Sequence, residues 1–263
     1  MKFKNLRLLL DDLNSIVNGW YTRIVTSKQT VGDMSTWYLI ADFPTKIKWR
    51  DELGELNENR ISNMERSCGI IDGILLHPRE VFSVQKVIGE PTKERGFKEG
   101  PNIVGGQLSC SVGGGLCQIS TALFNVALLA NVQILQKHNH SADIWGENRF
   151  IDLGKDATYV YAQRDLKFKN DHPADIAVRM SVDRNDLLLN CQIYSPRELP
   201  YKVEIKHRVL KELEPRSVGN AGFDPQKGRK GWVVLTERFI IKSSGVRKLT
   251  FSKTDTYKPI LLQ

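Results

Sequence analysis

The chain has 263 residues, 41% of them hydrophobic and 26% charged, which is enough apolar material for one large domain or two small ones and excludes a chain that is disordered throughout. Lysine and arginine total 38 against 30 aspartate and glutamate, a formal net charge of +8, which favours anionic partners such as nucleic acid, lipid headgroups or acidic wall polymers without choosing among them. The charges are spread along the chain and no helix-turn-helix, zinc-finger or aromatic RNA-binding motif is present, so nucleic-acid binding is not expected.

The N-terminus, Met1 to Asp12, has the positive start of a secretory signal, but its apolar run Leu8 to Leu10 is cut off by Asp11 and Asp12. No stretch reaches the roughly 18 apolar residues that a membrane span requires. The expectation is therefore a cytoplasmic protein, extracytoplasmic only if exported by another route. The first forty residues, with Trp20, Tyr21, Trp37 and Tyr38, read as a helix followed by a short strand or irregular wrap. Ile61, Met64, Cys68 and Ile71 recur at helical spacing and predict a helix over Asn57 to Ile71. Gly73, Pro78 and Glu80 open a loop, and Val81 to Val84 reads as a short strand. From Glu90 to Gly115 the chain is rich in Gly, Pro, Lys and Glu, including Gly105-Gly106 and Gly113-Gly114-Gly115; this predicts turns and loops rather than a long element.

Gln118 to Ala130 carries Ile119, Ala122, Leu123, Val126, Ala127 and Ala130 at three- and four-residue steps, with Phe124 and Leu128 widening the apolar face. A buried helix is predicted, stopping at Asn131. Val132 to Leu135 reads as a strand that leads into the polar segment Gln136 to Ser141. Beyond it, Ala157 to Ala162, Leu166 to Phe168, Ile176 to Val182, Leu187 to Tyr194 and Lys202 to His207 are strand-like, and Trp232 to Tyr257 gives two or three more strands. The fold class is α+β: a helical N-terminal half, a buried helix after a glycine-rich loop, and a strand-rich C-terminal half.

The four cysteines, Cys68, Cys110, Cys117 and Cys191, are irregularly spaced with no Cys-x-x-Cys, which points to reduced thiols rather than a disulfide framework. Cys68 and Cys191 sit at apolar-periodic positions and read as core. Cys110 lies in a polar loop, where a resolving role is a weak reading. Cys117 differs: it follows three glycines, with Leu116 between, at the mouth of the best helix in the chain. First-turn N–H groups and the helix dipole favour an anion there and lower a thiol's pKa. Gly114 and Gly115 let a substrate approach the backbone, and N–H groups near Gly115 to Gln118, with the Gln118 amide, are candidates for an oxyanion hole. His140, with His138 in reserve, is the candidate base. Asp156, Asp165 and Asp143 are candidates to orient it.

Blander readings stand beside these. A cysteine before an apolar helix is commonly core, and His138 and His140 are commonly solvated loop histidines. Cys110, Cys117, His138 and His140 also make a Cys-Cys-His-His set, but six residues between the cysteines and one between the histidines fit structural zinc poorly. No metal or cofactor is expected.

Val112 to Ala130, with its three glycines, Leu116, Cys117, Gln118, Ile119, Ser120 and Thr121 running into an apolar helix, resembles the signature of the VanW family, associated with vancomycin resistance. His138-Asn139-His140-Ser141 resembles that family's His-x-His-Ser element. Gly154-Lys155-Asp156-Ala157-Thr158 and Asp165-Leu166-Lys167-Phe168-Lys169-Asn170 resemble two downstream elements. Pro78-Arg79-Glu80-Val81-Phe82-Ser83 is similar to an upstream one, with Arg79 where the family carries glycine. The resemblance spans roughly Asn59 to Tyr194 and divides the chain into an N-terminal extension (1–58), a VanW-like domain (59–195) and a β-rich C-terminal segment packed on it (196–263). It implies an L,D-transpeptidase acting on peptidoglycan, with Cys117 as nucleophile; on our own reading of the residues the donor is a stem peptide or its precursor, His140 serves as base and acid, Asp156 or Asp165 orients the histidine or holds the stem peptide, and Arg164 is a candidate clamp for a stem-peptide carboxylate. The alternatives are a cysteine peptidase or amidase of the wall, with water as acceptor, and a non-catalytic accessory protein that binds wall precursors or an antibiotic.

Overall fold

Twelve of the fourteen residues of one helix, Leu116–Leu129, are buried, and the rest of the chain is arranged around it. The computed structural model describes residues 2–26, 33–104, 107–215 and 228–261. In chain order the elements are α1 (Lys2–Val17), β1 (Tyr38–Asp42), β2 (Thr45–Lys46), α2 (Leu56–Ile71), β3 (Ile74–Leu76), β4 (Val81–Ser83), α3 (Val84–Ile88), β5 (Glu99–Val104), β6 (Gln107–Val112) and α4 (Leu116–Leu129). After α4 come β7 (Gln133–Gln136), β8 (Lys167–Lys169), β9 (Ile176–Asp183), β10 (Leu188–Ser195), β11 (Tyr201–Leu213), β12 (Gly228–Arg229), β13 (Gly231–Lys242), β14 (Arg247–Tyr257) and β15 (Ile260–Leu261). The architecture is mixed α+β, and every sheet is antiparallel.

A helix that is apolar all round must be covered on every side. α4 touches α2, β1 and β10 as well as β7 and β11. The main sheet runs β1-β10-β9-β3, with β2 also on β10; β4-β8-β7 form a second sheet and β11-β13-β14 a third. The periodic face of α2, Ile61, Met64, Cys68 and Ile71, is wholly buried, packed on β9 and α4. Both predicted helices are therefore found within two residues of their expected bounds.

The predicted split into a helical half and a strand half is too simple. Six strands lie before α4. Four of them are short and pair with strands from the second half: β1 and β2 with β10, β3 with β9, and β4 with β8. Their partners lie from 84 residues away (Ser83↔Lys167) to 157 (Tyr38↔Ser195), so no local pattern announces them. The segment Glu90 to Gly115 holds an antiparallel hairpin, β5 with β6, paired from Glu99↔Val112 to Val104↔Gln107. Gly105 and Gly106, between the two strands, lie outside the described residues. Conversely, Ala157 to Ala162 is not a strand. Its backbone bonds go to α4 side chains and to the carbonyl of His138, and Val160 to Arg164 close a tight turn. Arg79 adopts φ +73°, so the turn that glycine serves in the family is made here by a residue in the strained left-handed region.

α1 docks by its polar side. Asp11 pairs at 2.6 Å with Lys167, which is fully buried, and Asp12 pairs at 2.5 Å with Lys86. Phe3, Leu6, Leu9, Leu10, Leu13 and Ile16 are left exposed. Among the described residues no helix is long and apolar enough to cross a membrane.

The C-terminal strands close the far end of α4. The helix stops at Asn131, φ +54°, with Val132 N–H bonded to Ala127 O and Asn131 N–H to Leu128 O, the paired bonds of a Schellman motif. Arg238 of β13, almost entirely buried, donates to the carbonyls of Val132 at 2.9 Å, Leu128 at 3.3 Å and Ala127 at 3.5 Å. A cation on the last carbonyls of a helix satisfies its orphan acceptors and opposes its dipole. Arg238→Met is expected to destabilise the protein by about 2–4 kcal/mol, since a charged donor to several buried acceptors is lost. A fall in the urea midpoint at unchanged m measures it; a change within 0.5 kcal/mol would show that the cap contributes little.

Candidate functional site

The glycine run places Cys117 rather than lining a substrate path along its length. A Cβ on Gly114 would lie 2.3 Å from the backbone of Gly100, so that glycine lets the β5–β6 hairpin pack against the start of α4. Gly115, the residue before α4, has φ +101°, and a Cβ there would meet the Cγ of Arg60 at 2.6 Å. Cys117 then falls in the first turn of the helix. The N–H of Leu116 is taken by Gly113 O and that of Gln118 by Gly115 O. Among the described residues the N–H of Cys117 has no partner.

Four segments converge on the thiol. Cys117 Sγ lies 3.4 Å from Thr158 Oγ1 and 3.5 Å from Tyr159 O, and the His140 side chain stands near enough to act on its charge. His140 Nδ1 is 2.7 Å from Asp156 Oδ2, the oxygen that also accepts the His140 backbone N–H at 2.8 Å. The other oxygen, Asp156 Oδ1, accepts the Tyr257 hydroxyl. The Asp156 to Thr158 segment is strapped to α4. Thr121 Oγ1 accepts from Ala157 N–H at 3.0 Å, and Asn125 donates to Lys155 O at 2.6 Å. Thr158 N–H in turn holds His138 O at 2.7 Å, so the helix, the histidine segment and the aspartate segment form one frame.

The electrostatics follow from this order of groups. Burial pushes the Cys117 thiol up, but the hydrogen bond and charge of His140, with help from Thr158 and Tyr159, bring it below its ordinary value. Burial pushes His140 down, while Asp156 and the thiolate raise it far above an ordinary imidazole. Asp156, against its own burial, is held down to about 2 by His140 and Lys137. Both shifts favour the thiolate–imidazolium form of the pair over the neutral one. Cys68 and Cys191, by contrast, are core thiols, and burial pushes Cys68 up to about 12.

The expected residues separate into two groups. Cys117, Gln118, Gly115 and His140 line one open cleft of about 70 Å³ together with Arg50, Leu53, Arg60, Pro101, Asn102, Trp145 and Phe150. Asp156 stands directly behind His140. Gln118 is misassigned as an oxyanion donor: its amide nitrogen is spent on Thr45 Oγ1 and Lys46 O, at 3.1 and 3.0 Å, and braces β2. Gly114 does not line the cleft. His138 sits against Gln136 at 3.1 Å, and the residues around it on that side, Arg164 and Asp165, line a different cavity with α1. Arg164 bonds to Asn139 O. Asp165 bonds to Ser83 and Gln85 N–H at the start of α3, where burial pushes it up to about 6. Asp143 holds Arg149 at 2.6 Å instead of the histidine. Among the described residues no group of histidine, cysteine and carboxylate side chains is placed to hold a metal, and exposed Cys110 stands apart on β6.

Several residues of the site carried no readable signal. Thr158 was visible only as part of a motif. Arg50, Arg60, Trp145 and Tyr257 reach the cleft or its support from elements far away in sequence, and nothing in their local pattern marks them.

The family profile described as VanW like protein matches residues 59–193, just over half of the chain. The chain is 37% identical over 123 residues to the uncharacterized protein YoaR of Bacillus subtilis, an alignment covering 47% of this chain and 39% of that protein. It is 26% identical over 163 residues to the vancomycin B-type resistance protein VanW of Enterococcus faecalis, covering 61% of this chain and 59% of the relative. The chain thus spans less than two thirds of either relative. No solved structure gives a significant match.

Alkylation of Cys117 by iodoacetamide, read peptide by peptide with Cys110 as reference, is expected to stay fast well below the ordinary thiol range. Asp156→Asn removes the anion that keeps His140 charged. It is expected to slow Cys117 alkylation at pH 6–7 by about tenfold and to shift its pH profile upward. An unchanged profile in that variant would detach Asp156 from the thiol.

Proposed function

The chain belongs to the VanW family, and from that premise we propose that it is a cysteine acyltransferase acting on peptidoglycan stem peptides or their precursors, of the L,D-transpeptidase type. The observation that carries this reading is the alignment of Cys117, His140 and Asp156, with the thiol in the first turn of a helix, its pKa lowered beside His140, and an open cleft in front of it. The name of the Enterococcus faecalis relative, a vancomycin B-type resistance protein, supports a role at the cell wall.

In this mechanism the Cys117 thiolate attacks the carbonyl carbon of the donor amide and forms a C–S bond. The oxyanion that develops is met by the Cys117 backbone N–H, the unpaired donor of the first turn. His140, charged in the resting site, gives its proton to the departing amine as the C–N bond breaks and D-alanine leaves. The resulting thioester is attacked by an acceptor amine, whose proton passes to the now neutral His140, and the thiolate departs. Asp156 keeps Nδ1 of the ring occupied, so Nε2 faces the thiol and the leaving group. The Tyr257 hydroxyl and the His140 backbone N–H hold the carboxylate in that position.

Incubation with a synthetic tetrapeptide stem ending in D-alanine is expected to add to the intact mass of the protein the donor less D-alanine, on Cys117, and Cys117→Ser is expected to abolish the adduct. Adding an amine acceptor is expected to discharge it into a cross-linked product. Discharge to free tripeptide alone would move the assignment to a peptidase. No adduct with any stem donor, and full biological function in Cys117→Ser, would leave the accessory-binding reading in its place.

A further inference from the structure

Two arginines, Arg50 and Arg60, line the cleft in front of Cys117, and no carboxylate is among its described lining residues, although Glu52 is near enough to act on the charge of Arg50. Arg60, on the second turn of α2, lays its aliphatic stem against Gly115 at the start of α4. One of its terminal nitrogens donates to Lys48 O, and its Nε is buried without a partner. Arg50 lies flat on the indole of Trp145, 3.5 Å from the ring centre, and donates to Asn148 O at 2.8 Å. Among the described residues neither guanidinium forms an ion pair, although many of the chain's other arginines on its surface do, such as Arg184, Arg179 and Arg208. Burial, with the nearby charge of Arg50, lowers Arg60 to about 10.

Two like charges side by side, partly dehydrated and unpaired, are unfavourable in the empty protein. A planar anion between them removes the repulsion and uses the forked donors that arginine presents to carboxylates. We propose that Arg60 and Arg50 form a carboxylate subsite next to Cys117, which takes the free α-carboxylate of the residue expelled from the donor. This rests on the acyl-transfer reading given above. In a donor ending in D-alanine the carboxylate is separated from the scissile carbonyl carbon only by the amide nitrogen and one Cα. It therefore falls in the same cleft as the thiol, where Arg50, Arg60, Cys117 and His140 are neighbours. The subsite makes the enzyme exo-acting: it removes the last residue of a stem peptide and rejects donors whose C-terminus is amidated or extended. The clamp anticipated at Arg164 belongs here instead, since Arg164 opens onto the other cavity.

The test needs no peptidoglycan. Iodoacetate carries a carboxylate and iodoacetamide its neutral amide, and both alkylate a thiolate. The rate ratio of the two reagents at Cys117, measured on the full-length protein, is expected to exceed the ratio at exposed Cys110 by about tenfold or more, the size of a charge-assisted pair. Arg60→Met is expected to bring the ratio at Cys117 down to that of Cys110, and Arg60→Lys to keep part of it. In the wild type, where folding is not in question, D-alanine is expected to protect Cys117 from iodoacetamide and D-alaninamide is not. Equal ratios at the two cysteines, with no difference between D-alanine and its amide, overturn the subsite and leave the activated thiol intact. A Cys117 slow toward both reagents overturns the acyl-transfer reading and the subsite with it.

Discussion

The buried carboxylate of Asp156 is the point on which the site depends. It accepts three hydrogen bonds, from the His140 backbone, the His140 ring and the Tyr257 hydroxyl. Burying an anion is unfavourable unless charge and donors compensate, and each of these donors comes from a segment that must therefore be in place. The His140 segment follows β7, Asp156 lies in a segment strapped to α4 by Thr121 and Asn125, and Tyr257 ends β14. Satisfying one carboxylate thus fixes the imidazole relative to the helix that carries the thiol. The thiol and the imidazole are thus oriented by backbone and side-chain bonds on rigid elements, the kind of support that a precisely held site requires.

The same reasoning assigns a task to the C-terminal strands. β14 runs along the histidine segment and ties it down repeatedly. Asp255 pairs with Lys137 in a contact almost fully removed from solvent, Thr256 O accepts from Asn139, and Lys258 N–H bonds to Ser141 O. Lys137, Asn139 and Ser141, every second residue of the segment, thus have a partner there, and Tyr257 holds Asp156 behind His140. A buried ion pair adds little net stability, because desolvation offsets its attraction. Lys137–Asp255 is better understood as fixing register: shifting β14 by one residue would turn Asp255 and Tyr257 to the other face, leaving Lys137 without its buried counter-ion and Asp156 without its hydroxyl donor. The β-rich segment is thus a buttress of the site, and it clamps the opposite end of α4 through Arg238.

What could be read in the chain follows the range of the interactions involved. α2 and α4 declare themselves because their burial repeats every three to four residues, and Cys117 with His140 and Asp156 stood out through local motif and helix-end chemistry. The hairpin of β5 and β6 hid in a stretch rich in glycine and proline. β1 to β4 are too short to show alternation and exist only because β8, β9 and β10 supply the other half of each ladder. The residues 157–162 have strand composition, yet their hydrogen bonds go to α4 and to His138, an outcome set by tertiary context. His138 and His140, two residues apart, looked interchangeable; the packing sends one to Gln136 and the other to the thiol. Arg60 looked like one more polar position on a helix, and only its approach to Gly115 reveals where its charge lies.

The balance of terms at Cys117 also bears on its reactivity. His140, Thr158 and Tyr159 favour the thiolate while burial opposes it, and a helix N-terminus acts in the same direction as His140. A thiolate stabilised without limit would be a poor nucleophile, because nucleophilicity falls as thiol basicity falls. Partial burial at the base of the cleft holds the sulfur's basicity up, while the imidazolium keeps it ionised. The arginines are better placed to act on an incoming anion than on the sulfur, since they stand across the cleft and keep donors to spare. When such an anion binds between them it cancels part of the positive field around Cys117, which raises the basicity of the sulfur at the moment the carbonyl arrives. A substrate that brings its own carboxylate would then sharpen the nucleophile that attacks it, and a neutral analogue would not.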